Sequence, residues 1–395
     1  MTYYMIFMVV NIMKGKCILI VFTLVLLACQ PVVCKEKNEL DDTVLNAQRY
    51  LVENNIKAAL SILENAILKY PKNNVLRLQF AIALYKNKSY EDSLNQLFKL
   101  KSMEEDSQVL EKIDMYIDRI NNIKRTTYDF HFSYEVDDNV FNYPRGEFNG
   151  WHFSEPKKDN YINYFFSLEN INPIFKNVSF KNNLLIYGRE YKDIKEKNYV
   201  SFKLKSGLHY ADFNIAYSIQ PLVEFKDSYQ ENIFFLGAYV YFSTVFDRNK
   251  KFNIHMEKKW DIEHHDNSNL LNFGYLQNIS PWSYIYLDFG RSYFVGNNVI
   301  GSNDYFRLGW SYDWDIGIST LMSCGFSYRK SNTIDIFKVK PKSYEYEPEL
   351  VVWYRPLSLY GIVPKIKVSF IKSKSNHPAF NFSKRNISLF ITKTF

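Results

Sequence analysis

The stretch VSFKLKSGLHYADFNIAYSIQPLVEF, residues 200–225, holds two runs in which apolar and polar side chains alternate across a short polar break at 209–212. Phe202 and Leu204 alternate with Lys203 and Lys205. Successive strand residues point to opposite faces, so each run has one apolar face and one charged face. The same period continues outward in both directions from Thr126. YDFHFSYEV, YINYFFSLE, IFFLGAYVYFSTV, YIYLDFGRSYFV, YFRLGWSYDW, YEYEPELVVWYR and KIKVSFIK all alternate, and residues 126–395 divide into fourteen such segments. Composition agrees. The chain has 395 residues, 31 Tyr and 32 Phe bring aromatics to 17%, and mean hydropathy is still −0.29. Many aromatics without overall hydrophobicity means apolar residues interleaved with polar ones, as in strands wet on one face.

The connections alternate as well. Short ones are expected at 169–173, 209–212, 247–250, 280–281, 313–315 and 358–361. Long, charged ones are expected at about 140–160, 188–197, 225–231, 261–268, 294–302, 330–343 and 374–384. Short turns on one side and long loops on the other are the asymmetry of an outer-membrane barrel. The fold class expected is therefore mainly β, a 14-stranded antiparallel transmembrane β-barrel. An even strand count puts both barrel ends on the periplasmic side. The last segment, NFSKRNISLFITKTF, keeps Ile387, Leu389, Ile391, Lys393 and Phe395 on one side and runs to its final aromatic residue. In a closed barrel the last strand pairs with the first, and no sheet edge is left. Leu389, Ile391 and Phe395 have the form of a C-terminal signal for the barrel-assembly machinery, on a stripe facing outer-membrane lipid.

Residues 39–124 have a different period. AALSILENAILKY and SLNQLFKLKS carry apolar residues at three- and four-residue steps, and the region contains no Gly. A 34-residue repeat is present, and it resembles the tetratricopeptide family over 40–73 and 74–107, with 108–124 as a capping helix. Pro71 closes the first unit, Ala59, Leu63 and Ala66 take its small/large/small positions, and Tyr50 lies on its first helix. Phe80, Ala81, Leu84, Ser93 and Leu97 fill the second. Such stacks present a concave surface to extended partners, so Tyr50, Phe80 and Leu84 are the candidate partner-binding residues.

Residues 1–34 have the layout of a secretory signal peptide, with Met13 as the expected start. Leu26-Leu27-Ala28-Cys29 resembles a lipobox, which would lipidate Cys29; cleavage near Cys34 is the alternative. Beyond residue 34 no apolar run is long enough for a membrane helix. Of four cysteines only Cys324 lies in the body, which excludes a disulfide framework. The net charge of +7 is spread in short mixed runs, and no nucleic-acid partner is expected.

Together these features resemble the surface lipoprotein assembly modifier family. SYEVDDNVFNYP (133–144) carries an Asp-x-Asn-type turn at Asp138-Asn139 after the first strand. LLIYGREYKDIKEKNYVSFKLKSGLHYADFNIAYSIQPLVEF (184–225) carries two Gly-x-x-Tyr segments. PKIKVSFIKSKSNHPAFNFSKRNISLFITKTF (364–395) carries Ser375-Asn376 and Arg385. The resemblance implies export: promotion of the surface display of lipoproteins or related secreted client proteins. A porin-like channel with a periplasmic helical adaptor is the competing expectation, and a loop-based adhesin a third.

No catalytic, cofactor or metal site is expected. Asp261-Ile262-Glu263-His264-His265-Asp266 gathers ligand-type residues, but adjacent His side chains diverge, and a solvated loop is the better reading. Seven His residues scattered through loops give a barrel phospholipase no spacing support. Lys203, Lys205, Lys365 and Lys367 are expected to face the lumen.

Overall fold

The computed structural model describes residues 36–395, apart from 71, 103, 145–146, 149–150, 230, 248, 265, 281, 297–299, 335–338, 358–361 and 395. The signal peptide, Met13, Cys29, Pro71, the turn at 358–361 and Phe395 thus lie outside the described residues. Two compact units divide the chain at Thr43/Val44.

Five helices come first among the described residues: α1 (Glu36–Val52), α2 (Ile56–Lys69), α3 (Asn74–Lys86), α4 (Tyr90–Lys101) and α5 (Ser107–Asn121). Side-chain oxygens start three of them. Asn55 accepts from the Ala58 N–H, Asn73 from the Leu76 N–H at 2.9 Å, and Asp106 from the Gln108 N–H at 2.8 Å. Each satisfies a backbone donor the helix leaves unpaired. The repeat positions fill the interior: Ala59, Leu63, Ala81 and Ser93 are fully buried, and Ala66 and Leu97 nearly so. Leu94, Leu97 and Leu100 of α4 pack on Ile113, Ile117 and Ile120 of α5.

Fourteen strands then close into one antiparallel barrel. They are β1 (Arg125–Asp137), β4 (Asp159–Phe175), β5 (Val178–Tyr191), β6 (Tyr199–Ala211), β7 (Ile215–Ser228), β8 (Asn232–Phe246), β9 (Lys250–Asp261), β10 (Asn267–Ser280), β11 (Ser283–Val295), β12 (Ile300–Asp313), β13 (Ile318–Ser331), β14 (Lys342–Tyr354), β15 (Val363–Ser375) and β16 (Ser383–Thr394). A two-residue hairpin, β2 (Glu147–Phe148) and β3 (Trp151–His152), sits in the first long connection. Each barrel strand pairs with its sequence neighbours, and β16 closes on β1 with Tyr134 opposite Leu389 and Phe132 opposite Ile391.

Alternation sets inside and outside. On β1, Ser133, Glu135 and Asp137 are buried, while Tyr128, Phe132 and Tyr134 are exposed. On β6, Phe202, Leu204 and Leu208 are exposed, while Ser201 is fully buried. The exposed set is apolar and the buried set polar, an inversion of a soluble core that suits an outer-membrane-type barrel. Ile387 and Leu389 lie on the apolar exterior with 55% and 53% of their surface exposed.

Three connections differ most from the sequence expectation: the turn placed at 209–212 falls at 212–214, because the β6/β7 ladder carries His209, Tyr210 and Ala211 as strand. The turn placed at 169–173 lies inside β4, which runs on to Phe175, and the reversal occurs at Lys176–Asn177. Asn177 takes φ 63°, a left-handed conformation that Asn tolerates better than most residues. Pro173, read as a turn residue, sits where the β4/β5 register shifts, a place where a missing N–H costs little. The long loop placed at 225–231 shrinks to residues 229–231, because the ladder continues to Asp227 opposite Asn232.

Candidate functional site: a polar lumen with a helix-covered mouth

The lumen wall is built from alternate residues of neighbouring strands, so register decides which charges meet. On β6, β7 and β9 it brings Lys203, Glu224, Glu257 and Lys259 together. Lys203 Nζ lies 2.7 Å from Glu257 and 3.5 Å from Glu224, and Lys259 Nζ lies 3.1 Å from Glu224. The Glu224 side chain is only 2% exposed and also accepts from the Ser201 hydroxyl at 2.9 Å. Lys205, one step along, sits over the Tyr239 ring at 4.1 Å. Across the barrel, Arg307 pairs with Glu347 at 2.7 Å and faces Glu349 at 3.6 Å. Lys365 lies between the rings of Trp353 and Phe390. Lys203, Lys205 and Lys365 are thus on the inner wall, as expected, and Lys367 shares their alternation. The carboxylates that pair with them were not identified from sequence. Glu224 and Glu257 lie 21 and 54 residues from Lys203, and only the register joins them.

One mouth of the barrel, at the short turns, is covered by the helices. Lys101 at the end of α4 bonds Asp114 at 2.7 Å and reaches the Asn214 side-chain oxygen at 3.2 Å, in the β6/β7 turn. Lys72 pairs with Asp315 of the β12/β13 turn at 3.1 Å and lies over the Trp282 ring. Asn121 donates to the Asp212 carbonyl at 3.1 Å. Arg125, the first residue of β1, joins Glu91 of α4 at 3.2 Å and the Ile120 carbonyl at 2.7 Å.

Between helices and turns lies a cleft of about 380 Å³. Phe80, Ile67 and Leu68 line it from the helices, Trp282 from the β10/β11 turn, and Tyr284 and Trp353 from the strands. Glu64, Lys99, Asp313 and Arg355 supply its charge, two acids and two bases. Arg355 is fixed: its guanidinium donates to the Ile318 carbonyl at 2.8 Å and pairs with Asp313 at 3.6 Å. Burial pushes the pKa of Lys99 below the usual lysine range, with Asp313 acting against it. The cleft therefore combines aromatic walls with charges of both signs, Lys99 among them with reduced solvation.

Of the candidate partner-binding residues, Phe80 is half-buried on the wall of this cleft. Tyr50 is half-buried on α1, with the Arg49 guanidinium over its ring at 5.4 Å. Leu84 is 7% exposed, so its side chain supports helix packing instead of offering a free surface. Leu389 is on the outer face, and Ile391 continues its alternation on β16, opposite Phe132.

The far mouth is organised by the residues of the Asp138-Asn139 turn. The buried Asn139 side chain accepts from the Tyr143 N–H at 2.8 Å and donates to the Tyr143 carbonyl at 2.9 Å. Asp138 accepts from the Arg385 backbone N–H at 2.8 Å, and Lys384 reaches Asp137 at 3.2 Å. These bonds tie the first strand to the last. Asn376 accepts from the Lys342 N–H at 2.7 Å and fastens the last two loops together. Val140, Tyr161 and Tyr191 form a small apolar cluster beneath this turn. In the second Gly-x-x-Tyr segment, a Cβ on Gly207 would lie 2.2 Å from the Ile219 carbonyl oxygen, so only glycine fits. The short motifs are thus framework for the barrel, and His264 is bonded within its own loop to Asp261 at 2.9 Å. Among the described residues no group of three His, Cys, Asp or Glu could hold a metal ion.

Comparison with known proteins gives one family. The family model described as surface lipoprotein assembly modifier matches residues 127–395. Surface lipoprotein assembly modifier 2 of Haemophilus influenzae strain Rd is 25% identical over 354 residues, covering 81% of this chain and 70% of the relative. Surface lipoprotein assembly modifier 1 of the same strain is 27% identical over 350 residues with the same coverage. The surface lipoprotein assembly modifier of Moraxella catarrhalis is 23% identical, covering 89% and 72%. Among solved structures, the anion-selective porin from Comamonas acidovorans aligns with TM-score 0.39 at 8% identity, over 69% of this chain and 99% of the porin. The loop L8 deletion mutant of OmpT from Vibrio cholerae aligns with TM-score 0.38 at 7% identity, over 69% and 99%.

Proposed function

The chain belongs to the surface lipoprotein assembly modifier family, and on that premise we propose that it promotes export of a lipoprotein or related secreted client to the cell surface. In this reading the helices lie in the periplasm and receive the client, and the barrel is its route or its docking partner in the outer membrane. One observation carries the reading: a helical repeat domain is seated on the turn-side mouth of a barrel with a charged inner wall. A polypeptide crossing a bilayer needs its backbone groups hydrated or bonded throughout. A lumen lined by Lys203, Glu224, Glu257, Lys259 and Arg307 supplies polar partners on its inner wall. The cleft at Phe80, with aromatic walls and charges of both signs, suits an extended segment that carries apolar side chains among polar ones. Tyr50 would extend that contact along the helices.

A photo-crosslinking amino acid at position 80 tests this in growing cells. An adduct carrying metabolically incorporated palmitate is expected for a lipoprotein client, and a secreted client would give a palmitate-free adduct that leaves the cell in the wild type. Adducts confined to the assembly machinery, together with unchanged surface display in the deletion strain, would favour the channel reading.

A further inference from the structure

The outer surface of the barrel differs between its two rims. At the loop-side ends of β13 to β16 the outward positions are held by cations. Register fixes their placement. Lys330 stands directly opposite Lys342, Tyr328 opposite Tyr344, and Phe326 opposite Tyr346. Tyr344 and Tyr346 in turn face Lys374 and Lys372, and Phe370 faces Arg385. Phe326 and Tyr344 are 54% and 62% exposed, which identifies this parity as the outer face. Lys330, Lys342, Lys374 and Arg385 are exposed as well, and Lys372 is half-buried.

None of these five cations forms an ion pair with a described carboxylate. Among the described residues of β12, Asp304 stands opposite Tyr328, and Arg291 already holds it at 2.9 Å. Asp138 spends its Oδ1 on the Arg385 backbone N–H. Like charges placed directly opposite one another destabilise a sheet, so a bound anion between Lys330 and Lys342 would relieve their repulsion. Below the cations the face turns aromatic and then aliphatic. Tyr328 and Tyr344 pack with ring centroids 4.9 Å apart, and Phe326, Ile366, Ile387 and Leu389 follow. Among the described residues the turn-side rim lacks this arrangement: there Trp310, Tyr312 and Trp314 form an aromatic row, and the outward Lys250 is bonded to Asp247.

We propose that Lys330, Lys342, Lys372, Lys374 and Arg385, above the Tyr328–Tyr344 pair, bind the head group of a multiply phosphorylated membrane glycolipid. Aromatic side chains sit at the head-group level of a bilayer, and cations just beyond them meet the phosphates. Adjacent strands are about 4.8 Å apart, so four strands carry the cations across about 15 Å. One phosphate cannot span that width; two phosphates on a disaccharide can. The acyl chains would lie on Phe326, Ile366, Ile387 and Leu389. The site requires that the barrel be in the outer membrane with its long connections outward, and stands apart from the client reading.

The purified full-length protein, folded in detergent, is presented with bisphosphorylated lipid A, monophosphorylated lipid A or phosphatidylglycerol, and retained lipid is counted by native mass spectrometry. Bisphosphorylated lipid A should bind at least tenfold more tightly than phosphatidylglycerol, with the monophosphorylated form between. The K330Q/K342Q/K372Q/K374Q variant should lose that preference, and K250Q should keep it. Heat-modifiable migration verifies folding, and if the quadruple variant does not fold, K330Q/K342Q is read in the same assay. Equal retention of lipid A and phosphatidylglycerol by the wild type would overturn the proposal, and so would an undiminished preference in a folded variant.

Discussion

Asn122, just past the last helix, and Asn177, in the first turn of the barrel, hold each other through two hydrogen bonds. The Asn177 backbone N–H donates to Asn122 Oδ1 at 2.8 Å, and Asn122 Nδ2 donates to Asn177 Oδ1 at 3.2 Å. The pair couples the cap of helices to the strand reversal beneath it, at a residue whose φ is 63°. Two such bonds contribute about 1 kcal/mol each. Asn122→Ala should therefore raise the rate of protease cleavage near 122–124 several-fold while leaving the barrel heat-modifiable. Unchanged cleavage would mean that the remaining contacts at Lys72, Lys101 and Arg125 hold the helices alone.

Glu224 is the acid that two lysines share. Glu224→Gln keeps the shape and removes the charge, leaving Lys203 and Lys259 in a poorly solvated wall with Glu257 as their remaining acid. Breaking one side of a buried pair costs about 3 kcal/mol. The temperature at which the folded band disappears on gels should drop by several degrees, and the double variant E224Q/K259M should recover part of the loss. A wild-type melting profile for Glu224→Gln would show that water screens the lumen fully.

His264 makes the loop after β9 pH-sensitive. Its hydrogen bond with Asp261 raises its pKa above the ordinary 6.5. A raised pKa in the folded state means the contact stabilises the loop most below pH 6.5 and loses that contribution as pH rises through the folded value. Amide exchange at 262–264 should be slower at pH 5.5 than at pH 8 after correction for intrinsic rates, and His264→Gln should abolish the difference. Equal corrected protection in the wild type at both values would remove the contact as a stabiliser.

Topology gives a simple test of orientation. If the long connections face outward, tags inserted at 194 and 334 react with antibody on intact cells, whereas a tag at 249 reacts only after the outer membrane is opened. The reverse pattern would place the helices outside.

Much of this architecture was legible because strand alternation is a local property. Phe202, Lys203, Leu204 and Lys205 declare their faces without any partner, and fourteen repetitions of that pattern count the barrel. Ala59, Leu63, Ala81 and Leu97 declare the helical core in the same way. What escaped was set by pairing at a distance. The end of β4 was misplaced because Asn170, Asn172 and Pro173 look like turn residues, whereas the ladder to β5 carries them as strand. Residues 225–228 looked like loop until Asn232 gave Asp227 a partner. At the candidate site, Phe80 was found from its repeat position, but Lys72, Lys101, Asn121 and Asn122 were not. They are ordinary polar surface residues until the turns they meet are in place.

The central claim is best tested by counting which lipoproteins are on the surface. Cells with and without the gene are labelled with palmitate, shaved intact with protease, and then lysed and shaved again. The account predicts at least one lipoprotein that is cleaved on intact wild-type cells but survives shaving of the deletion strain and is cleaved only after lysis, with display restored by the full chain and not by a chain lacking 44–124. Identical shaving patterns in both strains, with reduced uptake of a small solute in the deletion, would contradict it.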